Sequence, residues 1–244
     1  NYVTNSAKMV NNLFGGNNAG GISSQTNINI NGGILNNIFG GGNQANVNDT
    51  TLSIINGNIN NVYGGGNSAG VNNNTNLNIT GGTINVNAYG GGNEGTVTKD
   101  TIVNINNGLV KGSIYAGGNG ATAIVDGNTN IYVSGSAIIG YEGCSIPSKG
   151  SVFGGGKAAA TGLIAINSSV ANVSIAGGSI YGNVYGGANT SVVYGTTDVK
   201  IGADVATSST VIKSNINING TIFGGGEANA TGSETYDYHF ISVT

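Results

Sequence analysis

The sequence predicts an all-β protein whose fold is a parallel β-helix, also called a β-solenoid, with about eight coils of about 25 residues each. One observation is a sequence repeat, which is clearest over 75–93. It consists of an alternating strand, Gly-Gly, a second strand, an aromatic residue, a glycine run and Asn. Another is that the aromatic residue recurs along the chain, at Phe14, Phe39, Tyr63, Tyr89, Tyr115, Phe153, Tyr185 and Phe223. Such short strands bury a core only when neighbouring repeats are stacked.

The first strand of each early coil alternates polar and apolar residues, which is typical of a strand with one buried face. Thr, Leu and Ile occupy the phase that we expect to point inwards, and Asn and Ser occupy the other phase. Gly and Asn follow each strand and tolerate the positive φ of a sharp corner. These first strands lie at 26–30, 50–54, 75–79 and 101–105.

The second strand of each coil ends at the aromatic residue, and a glycine run forms the next corner. These second strands lie at 35–39, 59–63, 84–89 and 110–115. Parallel connections favour right-handed winding. The alternative folds are a flat β-roll and a β-propeller, although a propeller blade needs about 40–45 residues, which is more than most of these repeats contain.

We expect the whole chain, 1–244, to form a single solenoid domain. Residues 14–226 contain the coils, and the atypical stretches 1–13 and 227–244 are interpreted as caps or joints at the two ends. End repeats are usually atypical, because one of their faces has no neighbouring coil. Within the C-terminal stretch, 234–243 has the pattern of a strand that covers the last coil.

The later coils are longer than the early ones, because they contain insertions. Spacing places insertions at 139–152 and 206–222, at the same edge of the coil and two coils apart, and a further one between Gly156 and Val173. Insertions on one face of a solenoid often form its binding face. The alternative is that they are surface loops in which extra length is simply tolerated.

The composition limits the partners and the location of the protein. The net charge is −3, only 7% of residues are charged, and all seven basic residues are scattered lysines, which argues against nucleic acid. No apolar run approaches the ~20 residues of a membrane span. The chain begins without Met and shows no signal peptide, as in a mature or excised segment, and the single Cys144 excludes a disulfide framework. The Asn-, Gly- and Thr-rich composition favours an extracellular or cell-surface location.

Residues that could support catalysis or metal binding are sparse. The ten acidic residues do not recur at one register; only Glu94 and Glu227 share a position in the repeat, and they lie five coils apart. General acid–base catalysis needs two groups close to one substrate, and a zinc site or catalytic triad needs more partners than His239 has. A calcium nonapeptide is excluded where Thr122 replaces its Asp. The sequence therefore predicts a protein that is not an enzyme, with no catalytic residue, cofactor or metal.

Two groups of residues are candidates for a ligand-binding or adhesive surface. The tyrosines of the repeat would form a sugar-binding strip if they faced outwards, or part of the core if they faced inwards, and the phenylalanines at equivalent positions favour burial. The second group lies in the insertions. The candidates are Tyr63, Tyr89, Tyr115 and Tyr185 in the repeat, and Tyr141, Glu142, Lys149 and Lys213 in the insertions.

Over roughly residues 10–226, the chain resembles the Gly/Asn-rich parallel β-helix repeats of bacterial surface adhesins and autotransporter-like passengers. Gly82-Thr83-Ile84 and Gly178-Ser179-Ile180 are similar to the G-G-A-I element of polymorphic outer-membrane protein repeats, and Phe14-Gly15-Gly16-Asn17 is similar to their F-x-x-N element. The resemblance implies display, adhesion or fibre building rather than catalysis.

These observations lead to the hypothesis of a non-enzymatic, extracellular structural or adhesive solenoid. Its partners would be cell-surface glycans or further copies of the chain, stacked head to tail into a filament through 1–13 and 227–244, because open β-helix ends can template further strands. One alternative is a β-helix that binds or degrades polysaccharide. A second is an ice-binding protein, against which the inward phase of the Thr positions argues.

Overall fold

The computed structural model describes residues 9–144, 149–202, 215–228 and 238–243. These residues form strands, turns and bends without a helix, and their strands belong to one 18-stranded sheet. The prediction of an all-β parallel β-helix is confirmed, with about seven turns. The strands are β1 (Val10–Phe14), β2 (Ser23–Phe39), β3 (Val47–Tyr63), β4 (Thr75–Ile79), β5 (Thr83–Tyr89), β6 (Thr101–Ile105), β7 (Leu109–Val110), β8 (Ile114–Tyr115), β9 (Thr129–Val133), β10 (Ile138–Ile139), β11 (Val152–Phe153), β12 (Ser169–Ile175), β13 (Gly178–Ile180), β14 (Val184–Tyr185), β15 (Gly195–Ile201), β16 (Ile216–Ile218), β17 (Ile222–Phe223) and β18 (Tyr238–Val243).

Equivalent residues of successive coils pair directly with one another. On the first side of the solenoid, Thr26, Thr50 and Thr75 are partners in turn. The second side begins where β1 pairs with β2, so that Phe14 lies opposite Phe39. A third, narrower side consists of single parallel bridges through Val47, Val71, Val97, Val125, Thr161 and Val193. A coil therefore has three sides, and its repeated residues stack into columns.

The inward phase predicted from the alternation is confirmed by burial. Leu52, Leu77 and Val103 on the first side have no exposed surface, and Ile59 and Ile84 on the second side are equally buried. All of them belong to one continuous aliphatic core. Full burial of such a side chain contributes about 1.5–3 kcal/mol, so the stacked columns are the main source of stability.

Threonine occupies one inward column because its hydroxyl group has a fixed partner across the coil. Thr50 Oγ1 donates a hydrogen bond to the carbonyl oxygen of Gly64 at 2.7 Å, and Thr75 Oγ1 does the same to Gly90 at 2.7 Å. Both threonines are fully buried. The hydroxyl group thus satisfies a carbonyl group that the glycine corner turns towards the interior, and a polar residue becomes compatible with the apolar core.

The first insertion lies where it was predicted, between the two short strands of the second side. In the preceding coil, Lys111-Gly112-Ser113 alone connects β7 to β8. The Gly140 amide donates to the Val110 carbonyl at 2.7 Å, and the Gly150 amide donates to the Gly112 carbonyl at 3.0 Å. Both glycines therefore keep their places in the coil, and the extra residues are 141–149, which we call the insertion loop.

The prediction that the second insertion leaves the coil at this same edge is wrong. β16 pairs with β13, and β17 pairs with β14, so Ile218 is the counterpart of Ile180. The connection from β16 to β17 consequently has the regular length, and the extra residues of 206–222 precede β16, at the corner between the first and second sides. Spacing alone misplaced this insertion, because the start of the second strand in this coil is identified only by its pairing with β13.

The third insertion leaves the coil at yet another corner, before the first side. Thr161 bridges to Val193, and Ser169 pairs with Gly195, so the extra residues lie between Thr161 and Ser169. Aliphatic side chains are exposed there, including Ile164 at 75%. The three insertions leave the coil at three different positions and do not form a shared binding face.

The first and the last strand that the structure describes each belong to a half coil. At the N-terminal end, β1 supplies a second side, so residues 10–13 continue the ladder in register instead of forming a separate cap. At the C-terminal end, β18 supplies a first side and pairs in parallel with β15. The strand predicted within 234–243 is therefore confirmed for 238–243, whereas 1–8 and 229–237 lie outside the described residues.

Candidate functional site

The recurring aromatic residues form one continuous column along the solenoid. Neighbouring ring centroids lie 4.7–5.0 Å apart, and the ring planes differ by 5–11°, so the rings are stacked face to face. Each ring follows an inward residue, as Phe39 follows Ile38, and therefore points away from the aliphatic core. The rings nevertheless form a buried cluster of their own. The aromatic column consists of Phe14, Phe39, Tyr63, Tyr89, Tyr115, Phe153, Tyr185 and Phe223.

Asparagine ladders flank the aromatic column and restrict access to it. Asn37 Nδ2 donates to Asn12 Oδ1 at 2.9 Å on one side, and Asn43 Nδ2 donates to Asn18 Oδ1 at 2.7 Å on the other. Between these ladders lies a groove of about 320 Å³. It is lined by Asn12, Phe14, Asn37, Phe39, Asn43, Tyr63, Asn67 and Asn93. Because the ring faces are stacked on one another, only ring edges reach the floor of this groove.

The four tyrosines considered as an adhesive strip are therefore buried residues of the aromatic column, with exposures of 2–7%. The Tyr89 hydroxyl accepts a hydrogen bond from Asn87 Nδ2 at 3.0 Å, and the Tyr185 hydroxyl accepts one from Asn183 Nδ2 at 2.8 Å. Burial raises the pKa of Tyr63 and Tyr89, and it raises the pKa of Tyr115 to about 12. These phenol groups stay protonated at neutral pH and present no ring face on which a sugar could stack.

The insertion loop is closed at its base by two glycines in contact. Gly140 and Gly150 have φ values of 84° and 74°, in the left-handed region that favours glycine. A Cβ atom added to Gly140 would lie 2.7 Å from the Cα atom of Gly150. The chain can leave the coil and return to it within this narrow neck only because neither residue carries a side chain.

Tyr141 and Lys149, the first and last residues of the insertion loop, line a cavity together with two residues of the preceding coils. This cavity, which we call the loop pocket, has a volume of about 340 Å³ and is lined by Asn85, Lys111, Tyr141 and Lys149. Lys111 Nζ donates a hydrogen bond to Asn85 Oδ1 at 3.0 Å. Tyr141 is 43% exposed, which contrasts with the buried tyrosines of the aromatic column. The loop pocket is therefore lined by two ammonium groups and by one phenol group, whose aromatic ring is partly exposed.

The structure brings together two of the four residues that were predicted in the insertions. Tyr141 and Lys149 line the loop pocket, whereas Glu142 is exposed and is not one of its lining residues. Lys213 lies outside the described residues. Sequence reasoning missed Lys111, although a signal was present: it follows Val110 as Asn85 follows Ile84, so a lysine replaces an asparagine one coil before the insertion.

A second polar groove crosses the ends of the first strands. Tyr132 lies there beside Asn104, and burial raises the pKa of its hydroxyl group. Asn104 Nδ2 donates to Asn78 Oδ1 at 2.9 Å, so the amide groups of this groove are engaged with one another. Among the described residues, no cationic side chain lines this groove, and its aromatic ring is half-buried.

Charged groups are sparse in the part of the chain that the structure describes. The ion pair formed there joins Lys200 Nζ to Asp198 Oδ2 at 2.5 Å. Within the same residues, no group of three or more His, Cys, Asp and Glu side chains could hold a metal ion, and no helix is long and apolar enough to cross a membrane. Glu227 accepts a hydrogen bond from Asn189 Nδ2, and burial raises the pKa of its carboxyl group.

The coils and their columns define the class of this protein as a parallel β-solenoid repeat protein. No protein-family model, curated protein or solved structure matches the chain. The resemblance to bacterial surface repeats is supported as far as the fold, because the structure contains the stacked Asn ladders that are expected of β-helix repeats.

Proposed function

We propose that this protein is a non-enzymatic structural solenoid of the cell surface or extracellular space, whose copies stack head to tail into filaments. The observation that carries the proposal is the complementarity of the two half coils. The N-terminal end supplies a second side through β1, and the C-terminal end supplies a first side through β18. Placed end to end, the two halves make one complete coil.

In this joint, β18 of one copy pairs with the first half of β2 in the next copy. β1 of that next copy then pairs with β16 and β17 of the first copy, and Phe14 stacks on Phe223. Among the described residues, the outer edges of β18 and of the first half of β2 have no partner strand. Unpaired edges of this kind template the addition of further strands.

Exposed apolar side chains on the last strands also favour a second copy that would extend the hydrophobic core. Ile241 and Val243 pair with Val199 and Ile201, and so occupy the inward phase, yet they are 50% and 70% exposed. Phe223 is 41% exposed, unlike the inner rings of the aromatic column. A second copy stacked on this end would bury them all. Because the two contacting surfaces differ and lie at opposite ends of the solenoid axis, each added copy extends the solenoid along that axis and the contact generates a filament.

The extracellular location and a role in display or adhesion rest on the composition and on the resemblance to surface repeats. Few charges, abundant Asn and Gly and self-similar coils are typical of such repeats. A filament would present the same lateral surface once per copy, which multiplies any weak attachment along its length.

The proposal is tested by negative-stain electron microscopy of the purified chain at increasing concentration. We expect uniform filaments as wide as one solenoid for the wild type, and single short rods for a variant that lacks 227–244 and for the double variant Ile241→Lys/Val243→Lys. The matched control is Ile55→Lys/Val86→Lys, which places the same charges on lateral aliphatic residues that are 48% and 43% exposed. Single rods for the wild type, or filaments that persist in both end variants, would refute the assembly.

A further inference from the structure

We propose that the loop pocket binds an acidic sugar unit, a pyranose ring that bears a carboxylate or sulfate group, within an anionic polysaccharide. This inference is independent of head-to-tail assembly, because the loop pocket lies on the lateral surface of the middle coils. It assigns a ligand class to a site built from Lys111, Lys149 and Tyr141 around an asparagine.

The charge of the loop pocket is opposite to the charge of the protein. The chain has a net charge of −3 and only seven lysines, yet two of these lysines line one cavity. Among the described residues, neither lysine forms an ion pair, and no carboxylate group lines the pocket. Two unpaired ammonium groups beside one cavity attract an oxyanion, and charge-assisted hydrogen bonds to it are among the stronger polar contacts in proteins.

Lys111 is held in position before any ligand arrives. Its Nζ donates one hydrogen bond to Asn85 Oδ1, and a lysine ammonium has three donors, so two remain for a ligand. Asn85 is itself fixed, because its Nδ2 contacts Asn60 Oδ1 at 3.3 Å on the preceding coil. The end of a flexible side chain is thus hydrogen-bonded to a ladder of amide groups. This reduces the side-chain conformational entropy that is lost when a ligand binds.

Tyr141 gives the pocket a preference for a sugar over a bare anion. Its side chain is 43% exposed, whereas the tyrosines of the aromatic column are at most 7% exposed. An accessible aromatic face packs against the C–H groups of a pyranose ring, and the phenol hydroxyl adds a hydrogen bond. A cavity of about 340 Å³ matches one sugar unit more closely than a large cofactor.

The surface beside the loop pocket suits a polymer rather than a free monosaccharide. The amide ladder that reaches Asn85 continues along the solenoid through Asn60 and Asn36, which are joined by a hydrogen bond of 2.9 Å. Amide groups in such a row can exchange hydrogen bonds with the hydroxyl groups of successive sugars. Nucleic acid is a poorer fit, because two isolated lysines do not provide the clustered positive charge that it requires.

The experiment is isothermal titration calorimetry at fixed ionic strength, with three polymers as probes: polygalacturonate for carboxylate, dextran sulfate for sulfate, and neutral dextran. The protein carries the uncharged substitutions Ile241→Asn/Val243→Asn in every sample, so that assembly is weakened without adding a cationic group and binding is measured separately. We expect one of the charged polymers to bind and dextran not to bind. Lys111→Gln/Lys149→Gln and Tyr141→Ala should each weaken binding at least about tenfold, which corresponds to about 1.4 kcal/mol.

The matched control is Lys99→Gln/Lys157→Gln, which changes the net charge equally at exposed lysines that are not lining residues of the loop pocket. This control should bind the polymer as tightly as the protein in which all seven lysines are retained. The preferred charged polymer identifies the acidic group as carboxylate or sulfate. Equal weakening in the control would refute the pocket in favour of non-specific charge attraction. Binding of inorganic sulfate alone, without either polymer, or unchanged binding in Tyr141→Ala, would refute the sugar.

Discussion

At the scale of single residues, the threonine column shows how hydroxyl groups enter an apolar core. Thr75 Oγ1 donates to the Gly90 carbonyl at 2.7 Å, but Thr129, which occupies the same column two coils later, has a buried hydroxyl group without a hydrogen-bond partner. The two positions therefore have the same residue and the same burial, and differ only in whether the hydrogen bond exists.

We predict opposite effects when these hydroxyl groups are removed. Thr75→Val leaves a buried carbonyl group unsatisfied and should lower the free energy of unfolding by about 1–3 kcal/mol. Thr129→Val removes an unpaired polar group and should be neutral or stabilising. Guanidinium unfolding followed by circular dichroism measures both changes as shifts of the midpoint. Equal destabilisation by the two variants would contradict the interpretation, because it would mean that the hydroxyl contact with Gly90 contributes nothing.

At the scale of elements, the insertion loop is an addition to an otherwise regular connection between the two short strands of the second side. Removing it brings Gly140 next to Gly150 and leaves Gly140-Gly150-Ser151 between β10 and β11. That connection has the same length as Lys111-Gly112-Ser113 in the preceding coil. The two glycines already make backbone hydrogen bonds to that coil, so the shortened chain can keep its ladder.

We predict that a variant without 141–149 folds and unfolds at nearly the same guanidinium concentration as the full chain, since closing a loop of this size changes the free energy little. It should also lose binding to the anionic polymer. The matched control lacks Lys111-Gly112-Ser113, and it should not fold because β7 and β8 could no longer reach their partners. A large loss of stability on removal of 141–149 would show that the loop is part of the core.

At the scale of the whole molecule, the aromatic column runs through every turn and links their stability to pH. Tyr63, Tyr89 and Tyr115 have pKa values raised by burial, to about 12 for Tyr115. The unfolded phenol group titrates near pH ~10. The folded state therefore binds these phenol protons more tightly than the unfolded state does. The resulting contribution to the free energy of unfolding is complete below pH ~10 and is lost as the pH rises through the folded pKa values.

We predict that the midpoint of thermal unfolding falls steeply above pH ~10, as buried phenolates would otherwise have to form inside the column. The triple variant Tyr63→Phe/Tyr89→Phe/Tyr115→Phe should lose less stability over that range, because phenylalanine does not titrate and already occupies the column at Phe39 and Phe153. Thermal melts by circular dichroism measure both proteins. Parallel losses would assign the alkaline transition to groups outside the column.

Local periodicity by itself determined the fold class and the inward phase of the first strands. Strand alternation has a period of two, so the burial of Leu52 and Leu77 follows from their immediate neighbours. Glycine corners are equally local, because they depend on backbone conformations that few other residues adopt. The sequence also predicted the C-terminal strand β18, since its aromatic and aliphatic residues interrupt the glycine-rich pattern.

The tertiary structure alone decided where the insertions leave the coil, which side chains form the loop pocket and how the aromatic column is covered. Lys111 and Lys149 are far apart along the chain, and only the folded coils bring them to the same cavity. The second insertion was misplaced because a loop of arbitrary length carries no period, so counting from a landmark fails until strand pairing identifies Ile218 as the counterpart of Ile180. Pairing between coils is a long-range property, and the positions of both half coils depend on it.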